Sequence, residues 1–153
     1  MSQTGVYTSA LPFQAEHSGA VAIVCSDGRF LRHTLHFLEE HLGLNQFDLL
    51  VLPGAVHAFT LAGLLPKDFK TAQRKIRFLV EKHPVQRIVC IAHEDCGWYK
   101  DFKIGRLHLN LKDRQVQDLK HAAQVLREWF PHVTIELYYA RVEDGKVVFD
   151  EVG

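Results

Sequence analysis

The sequence predicts an α/β domain: a mainly parallel sheet flanked by helices on both faces, closed by an antiparallel hairpin at the C-terminal end. Three observations predict it. Short apolar runs rich in β-branched residues recur along the chain and read as buried strands. Segments with apolar residues at helical spacing separate them, and that alternation is the mark of parallel strands joined by crossover helices. Near the end, Asp144-Gly145 stands between two strand-like runs as a tight hairpin turn.

The elements follow in order. Residues 1–19 are polar, with Gly5, Ser9 and Pro12, and read as an irregular arm. Residues 20–153 read as one domain, because no linker, repeat or low-complexity segment divides them. Residues 20–25 (AVAIVC) form the first strand, broken by Ser26-Asp27-Gly28-Arg29. A helix follows, with Leu31, Leu35, Leu38 and Leu42 as its apolar stripe and Gly43 as its stop. Residues 47–52 (FDLLVL) form the second strand, ended by Pro53-Gly54, and residues 55–65 read equally as a short helix or a loop. Pro66 suits the first turn of a helix whose apolar face is Ala72, Ile76, Leu79 and Val80. Residues 87–92 (RIVCIA) are the third strand, and residues 97–110 read as loop. A long helix over residues 112–130 carries Val116, Leu119, Ala123, Leu126 and Phe130, and Pro131 stops it. Residues 133–140 and 147–149 supply the last two strands.

Composition limits the function. Of 153 residues, 47% are hydrophobic, enough for a real core, and the 18 basic and 18 acidic residues cancel. That balance gives no reason to expect a nucleic-acid partner. No apolar stretch is long enough to span a bilayer, and residues 1–20 lack the basic-then-apolar pattern of a signal peptide. The expectation is a cytoplasmic protein with no membrane partner. Three cysteines in such a chain argue against a disulfide framework and toward metal binding, catalysis or packing.

In sheets of this type functional residues gather beyond the carboxyl ends of the strands. That rule brings together the turn after the first strand, residues 25–29, and the turn after the third, residues 93–97. Cys25 ends the first strand; His93 and Cys96 follow the third, 68 residues later and beyond the compass of a zinc finger. Two thiolates and an imidazole suit zinc, and three protein ligands leave a fourth position open, as catalytic sites do. A zinc-bound water loses its proton near pH ~7. Asp27 is placed to accept a hydrogen bond from that oxygen, and Arg29 to hold Asp27 off the metal. Each residue also has a plainer reading. Cys25 can close a strand as a small buried side chain. Asp27 and Arg29 can be a turn-stabilising ion pair. His57 is either a proton shuttle or a satisfied loop histidine. Cys90, mid-strand, reads as core; His33, His36 and His108 receive no role; Glu94 and Asp95 face solvent or support the ligands.

Cys25-Ser26-Asp27-Gly28-Arg29 is similar to the C-x-D-x-R motif of the β-class carbonic anhydrases, and His93-Glu94-Asp95-Cys96-Gly97 resembles their H-x-x-C-G motif. The order matches, and each motif follows a strand; the likeness covers roughly residues 20–97. The resemblance implies Zn2+ on Cys25, His93 and Cys96, with Asp27 and Arg29 as the catalytic pair. It implies reversible hydration of carbon dioxide to bicarbonate by a zinc-bound hydroxide, in a homodimer. Two segments depart from the family. Pro53-Gly54-Ala55-Val56-His57 replaces an Arg-Asn-Ala-Gly-like turn, and the bulky Trp98 and Tyr99 stand where small residues are usual. Three other functions remain open: a zinc protein without this activity, a hydrolase of carbon disulfide or carbonyl sulfide, and a thiol enzyme using Cys25 as nucleophile.

Overall fold

The computed structural model describes residues 3–102 and 110–153. Residues 103–109, which include His108, lie outside the described residues.

Five strands form one sheet in the order β2-β1-β3-β4-β5. They are β1 (Ala20–Val24), β2 (Asp48–Val51), β3 (Arg87–His93), β4 (Thr134–Glu143) and β5 (Lys146–Glu151). The first four run parallel; β5 returns antiparallel on β4. Asp144 and Gly145 turn the hairpin with φ of 50° and 73°, the paired positive values that a two-residue turn of matching twist requires. The parallel strands bury both faces, so nearly every side chain of β1 and β3 is inside. Alternate residues serve different layers. Val21, Ile23, Ile88, Cys90 and Ala92 face α2 (Pro66–Lys82) and α4 (Leu111–Trp129). Ala22, Val24, Val89 and Ile91 face α1 (Gly28–His36). Each fully buried aliphatic side chain contributes about 1.5–3 kcal/mol, which is why these uninterrupted apolar runs fold as central strands.

The apolar row of α1 differs from the expected stripe. Phe30, Thr34, Phe37 and Leu38 are buried, whereas Leu31 and Leu42 pack at the margin and Leu35 is half-buried. The chain widens into a π-helical turn over Phe37–His41, with the Leu42 amide donating to the Phe37 carbonyl. That extra residue per turn lets Phe37 and Leu38 both reach the sheet. Phe37 stacks flat on Phe149, with ring centroids 4.2 Å apart. The ambiguous stretch after β2 is a 3-10 helix, Ala55–Thr60. Part of the segment read as loop after β3 is a short helix, α3 (Gly97–Asp101). Residues 3–19 contain neither helix nor strand. None of the helices is long and apolar enough to cross a membrane, among the described residues.

The strand order reverses between β1 and β3, since β1 leads outward to β2 and β3 outward to β4. A sheet opens its ligand crevice at such a switch point, and the two motif turns leave the sheet there.

Candidate metal centre

Asp27 caps α1. Its Oδ1 accepts from the Arg29 amide at 2.9 Å, so the turn from β1 into the helix is fixed by the motif's own carboxylate. Cys25, between strand end and cap, is held partly buried. On the other side, β3 ends at His93, and Asp95 adopts φ of 56° to fold the chain back. Cys96 is the N-cap of α3. Left-handed backbone at a non-glycine residue costs energy, and here it returns Cys96 toward His93.

The ligating atoms of Cys25, His93 and Cys96 all lie within 4.8 Å of one another, a cluster that can hold a metal ion. The two sulfurs are 4.0 Å apart. A tetrahedral zinc with Zn–S near 2.3 Å needs a sulfur–sulfur edge of about 3.8 Å. His93 is 3% exposed. Its Nδ1 donates to the Glu94 carbonyl at 2.7 Å, which leaves Nε2 as the unprotonated nitrogen. Nε2 is buried and has no hydrogen-bond partner among the described residues. An orphaned buried acceptor costs about 1–3 kcal/mol; beside two thiols it has the lone pair, direction and company that zinc takes. The donor set fits a zinc ion.

The thiols are electrostatically prepared. The Cys96 thiol draws Cys25 down to about 4 against the opposing effect of burial, assisted by His93 and by backbone hydrogen bonds from Gly54 and Asp27. Cys96 is pushed up in turn by Cys25 and by burial. One proton is thus shared by two adjacent sulfurs, and a dication displaces it. Burial works against a charged His93, but the neighbouring Cys25 sulfur, the Glu94 carbonyl and the Asp27 charge carry the net shift upward.

Arg29 grips Asp27 through both oxygens: Nε lies 3.1 Å from each and Nη2 is 2.6 Å from Oδ2. This pairing holds the Asp27 carboxyl down at about 2. Arg29 also reaches the Asp95 carboxylate and carbonyl, both at 3.0 Å, tying the two motif turns together. Asp27 Oδ2 stands 3.9 Å from His93 Nε2, at the edge of the cluster. Lys100 pairs with Asp95 on the outer side.

Sequence reasoning missed two residues behind the site. Gln115 and Asp118, each 1% exposed, sit on the buried face of α4. Gln115 Nε2 donates to the His93 carbonyl at 2.8 Å, and Asp118 accepts from the Tyr99 hydroxyl at 2.9 Å. Gln115 stands four residues before the predicted Leu119 and so shares its helix face, and Asp118 stands three residues after Gln115; that spacing is the one signal that was available. His57 is buried in the 3-10 helix and hydrogen-bonded: its Nδ1 accepts from the Trp98 indole at 2.8 Å, and its Nε2 is 4.0 Å from Asp118. Gly54, with φ of 79°, lies under Trp98; a Cβ there would come within 2.2 Å of Cδ1. The two departures from the family pattern are therefore one packed unit. Cys90 is fully buried and its thiol is pushed up to about 12 by that burial, as a core residue. His33 and His36 are exposed.

Residues 15–149 match the family described as "Putative carbonic anhydrase". An uncharacterized protein of Rickettsia conorii is 31% identical over 128 residues, covering 77% of this chain and 64% of that protein. One of Rickettsia bellii is 28% identical over 127 residues, covering 77% and 73%. The chain thus spans less than two thirds of the length of the first of these relatives. Among solved structures, a tetrameric β-carbonic anhydrase of Sordaria macrospora superposes with a TM-score of 0.62 at 15% identity, over 91% of this chain and 82% of that one. The β-carbonic anhydrase isoform I of Trichomonas vaginalis gives 0.59 at 14%, over 95% and 89%. At such identities the likeness is one of fold.

Proposed function

The chain belongs to the family described as "Putative carbonic anhydrase", and on that premise we propose that it holds one zinc ion in its motif site and hydrates carbon dioxide reversibly to bicarbonate. The ligands are Cys25, His93 and Cys96, and Asp27 and Arg29 are the catalytic pair. The observation that carries this reading is the buried, unpartnered His93 Nε2 beside two sulfurs 4.0 Å apart.

When bound, zinc supplies a Lewis acid that makes a water nucleophilic near pH ~7. The chain's own residues do the rest. Asp27, ionised at all working pH, can only accept a hydrogen bond, so it selects an oxygen that still carries a proton and orients its free lone pair toward carbon dioxide. Arg29 keeps Asp27 in that pose. The Glu94 carbonyl fixes the His93 tautomer, and Gln115 fixes the backbone that carries it. Hydration consumes carbon dioxide and water and releases bicarbonate and a proton.

Residues 1–19 as an arm on a domain of residues 20–153, a homodimer, and cytoplasmic residence belong to the same proposal. Sedimentation velocity of the full chain tests the dimer. Stopped-flow carbon dioxide hydration, on protein whose thiolate site is loaded with zinc, tests the activity. Rapid turnover that falls about 100-fold or more in Asp27→Asn is the expected result; no turnover across pH 7–9 with the metal in place overturns it. A second reading, zinc held without this turnover, is favoured by the Trp98 ring, which fills the space over Gly54 at the site's edge.

A further inference from the structure

At the opposite end of the sheet, three residues that the motifs do not touch meet at one point. His17 precedes β1, Asp48 begins β2, and His83 ends α2 just before β3. They are 31 and 35 residues apart in sequence, so no spacing pattern marks them. Their ligating atoms nevertheless lie within 4.8 Å of one another. From the motif site they are separated by the length of β1, about 16 Å for five residues at ~3.3 Å each.

We propose that His17, Asp48 and His83 form a second metal site, for a divalent first-row transition ion of the zinc type. Two imidazoles and a carboxylate are a donor set that such ions take with open positions left over. The His17 and His83 rings lie nearly parallel with centroids 3.6 Å apart. A tetrahedral ion with Zn–N near 2.0–2.1 Å asks for a nitrogen–nitrogen edge of about 3.3 Å, which the two rings meet by tilting out of their stack until both lone pairs point at one centre. Asp48 Oδ2 is buried without a hydrogen-bond partner among the described residues. A buried carboxylate oxygen in that state needs a cation or a proton, and the nearby donors are imidazoles that share a metal readily.

The backbone around the cluster is already braced. The Gly19 carbonyl accepts from the amides of Gln86 at 2.8 Å and Arg87 at 3.2 Å, which locks the segment after His17 to the segment after His83. Val21 on β1 is the register partner of Asp48. An ion here ties the chain before β1 to the entry of β3 and the start of β2.

The test is titration of the metal-free full chain with Co2+, read by absorption, with Zn2+ stoichiometry by calorimetry beside it. The thiolate site reports itself by sulfur-to-cobalt charge transfer, which a nitrogen–oxygen site lacks. Two equivalents are expected, the second adding only weak visible bands. His17→Ala and His83→Gln should each abolish the second equivalent and leave the charge-transfer bands unchanged. His17 is exposed, so its removal does not threaten the fold. Saturation at one equivalent that carries the charge-transfer bands, or a weak-band equivalent that survives both substitutions, overturns the proposal. The two sites fail separately: missing charge transfer counts against Cys25, His93 and Cys96, whereas the second equivalent alone judges His17, Asp48 and His83.

Discussion

The Trp98 indole N–H donates to His57 Nδ1 across 2.8 Å, joining the turn after β2 to the turn after β3. That bond assigns the His57 proton to Nε2, on the side of Asp118, 4.0 Å away. The histidine is thereby packed, buried, between the two turns. Trp98→Phe keeps the ring and removes the donor. The expected cost is about 1–3 kcal/mol, seen as a lower denaturation midpoint with an unchanged m-value. An unaltered midpoint would show that the bond contributes nothing.

Gln115 is the brace behind His93. Gln115→Leu preserves volume and leaves the His93 carbonyl without its donor. Affinity at the thiolate site should fall by about 10–100-fold, the usual effect of losing a group that supports a metal ligand. Competition with a chromophoric chelator measures it, and equal affinity in both proteins refutes the role.

The cysteines should react in a fixed order. In the metal-free protein Cys25, drawn down to about 4, is a thiolate at pH 7 and is alkylated first by iodoacetamide. Cys96, pushed the other way, follows slowly. Cys90, buried and pushed up to about 12, is labelled only after unfolding. Zinc should protect Cys25, as peptide mass mapping can follow. Rapid alkylation of Cys25 in the zinc-loaded protein would favour the thiol-enzyme reading instead.

Asp27 links the site to acid stability. Its folded pKa, about 2, lies below the unfolded value near ~3.9. The group's stabilising contribution is therefore present above pH ~4 and is lost as pH falls through about 2. Arg29→Ala removes the main cause, so the acid limb of its stability curve, followed by circular dichroism between pH 2 and 5, should be shallower. Arg29 is largely exposed, so the effect is modest and shrinks with added salt. An acid limb as steep as the original's would show that Arg29 does not hold Asp27 down.

The central strands were legible because burial on both faces writes itself into sequence as an unbroken apolar run, as in residues 87–92. The hairpin was legible because two successive positive φ values at Asp144 and Gly145 call for such residues. The neighbourhood of Cys25, His93 and Cys96 was legible because parallel strands end on the same side of a sheet. The α1 row was misjudged: four leucines at helical spacing fit a stripe, but the π-helical turn rotates the register after His36 and brings Phe37 inward with Leu38.

Local sequence sets which segments cross the core, where they turn, and which side chains leave the carboxyl ends of β1 and β3. Those properties depend on local polarity and backbone preference, which each residue carries with it. Only packing in three dimensions brings Gln115 under His93, Trp98 over Gly54 and onto His57, and His17, Asp48 and His83 to one point. Such contacts depend on how α4, the turn after β2 and the sheet's far end are packed together, and no spacing along the chain encodes that meeting.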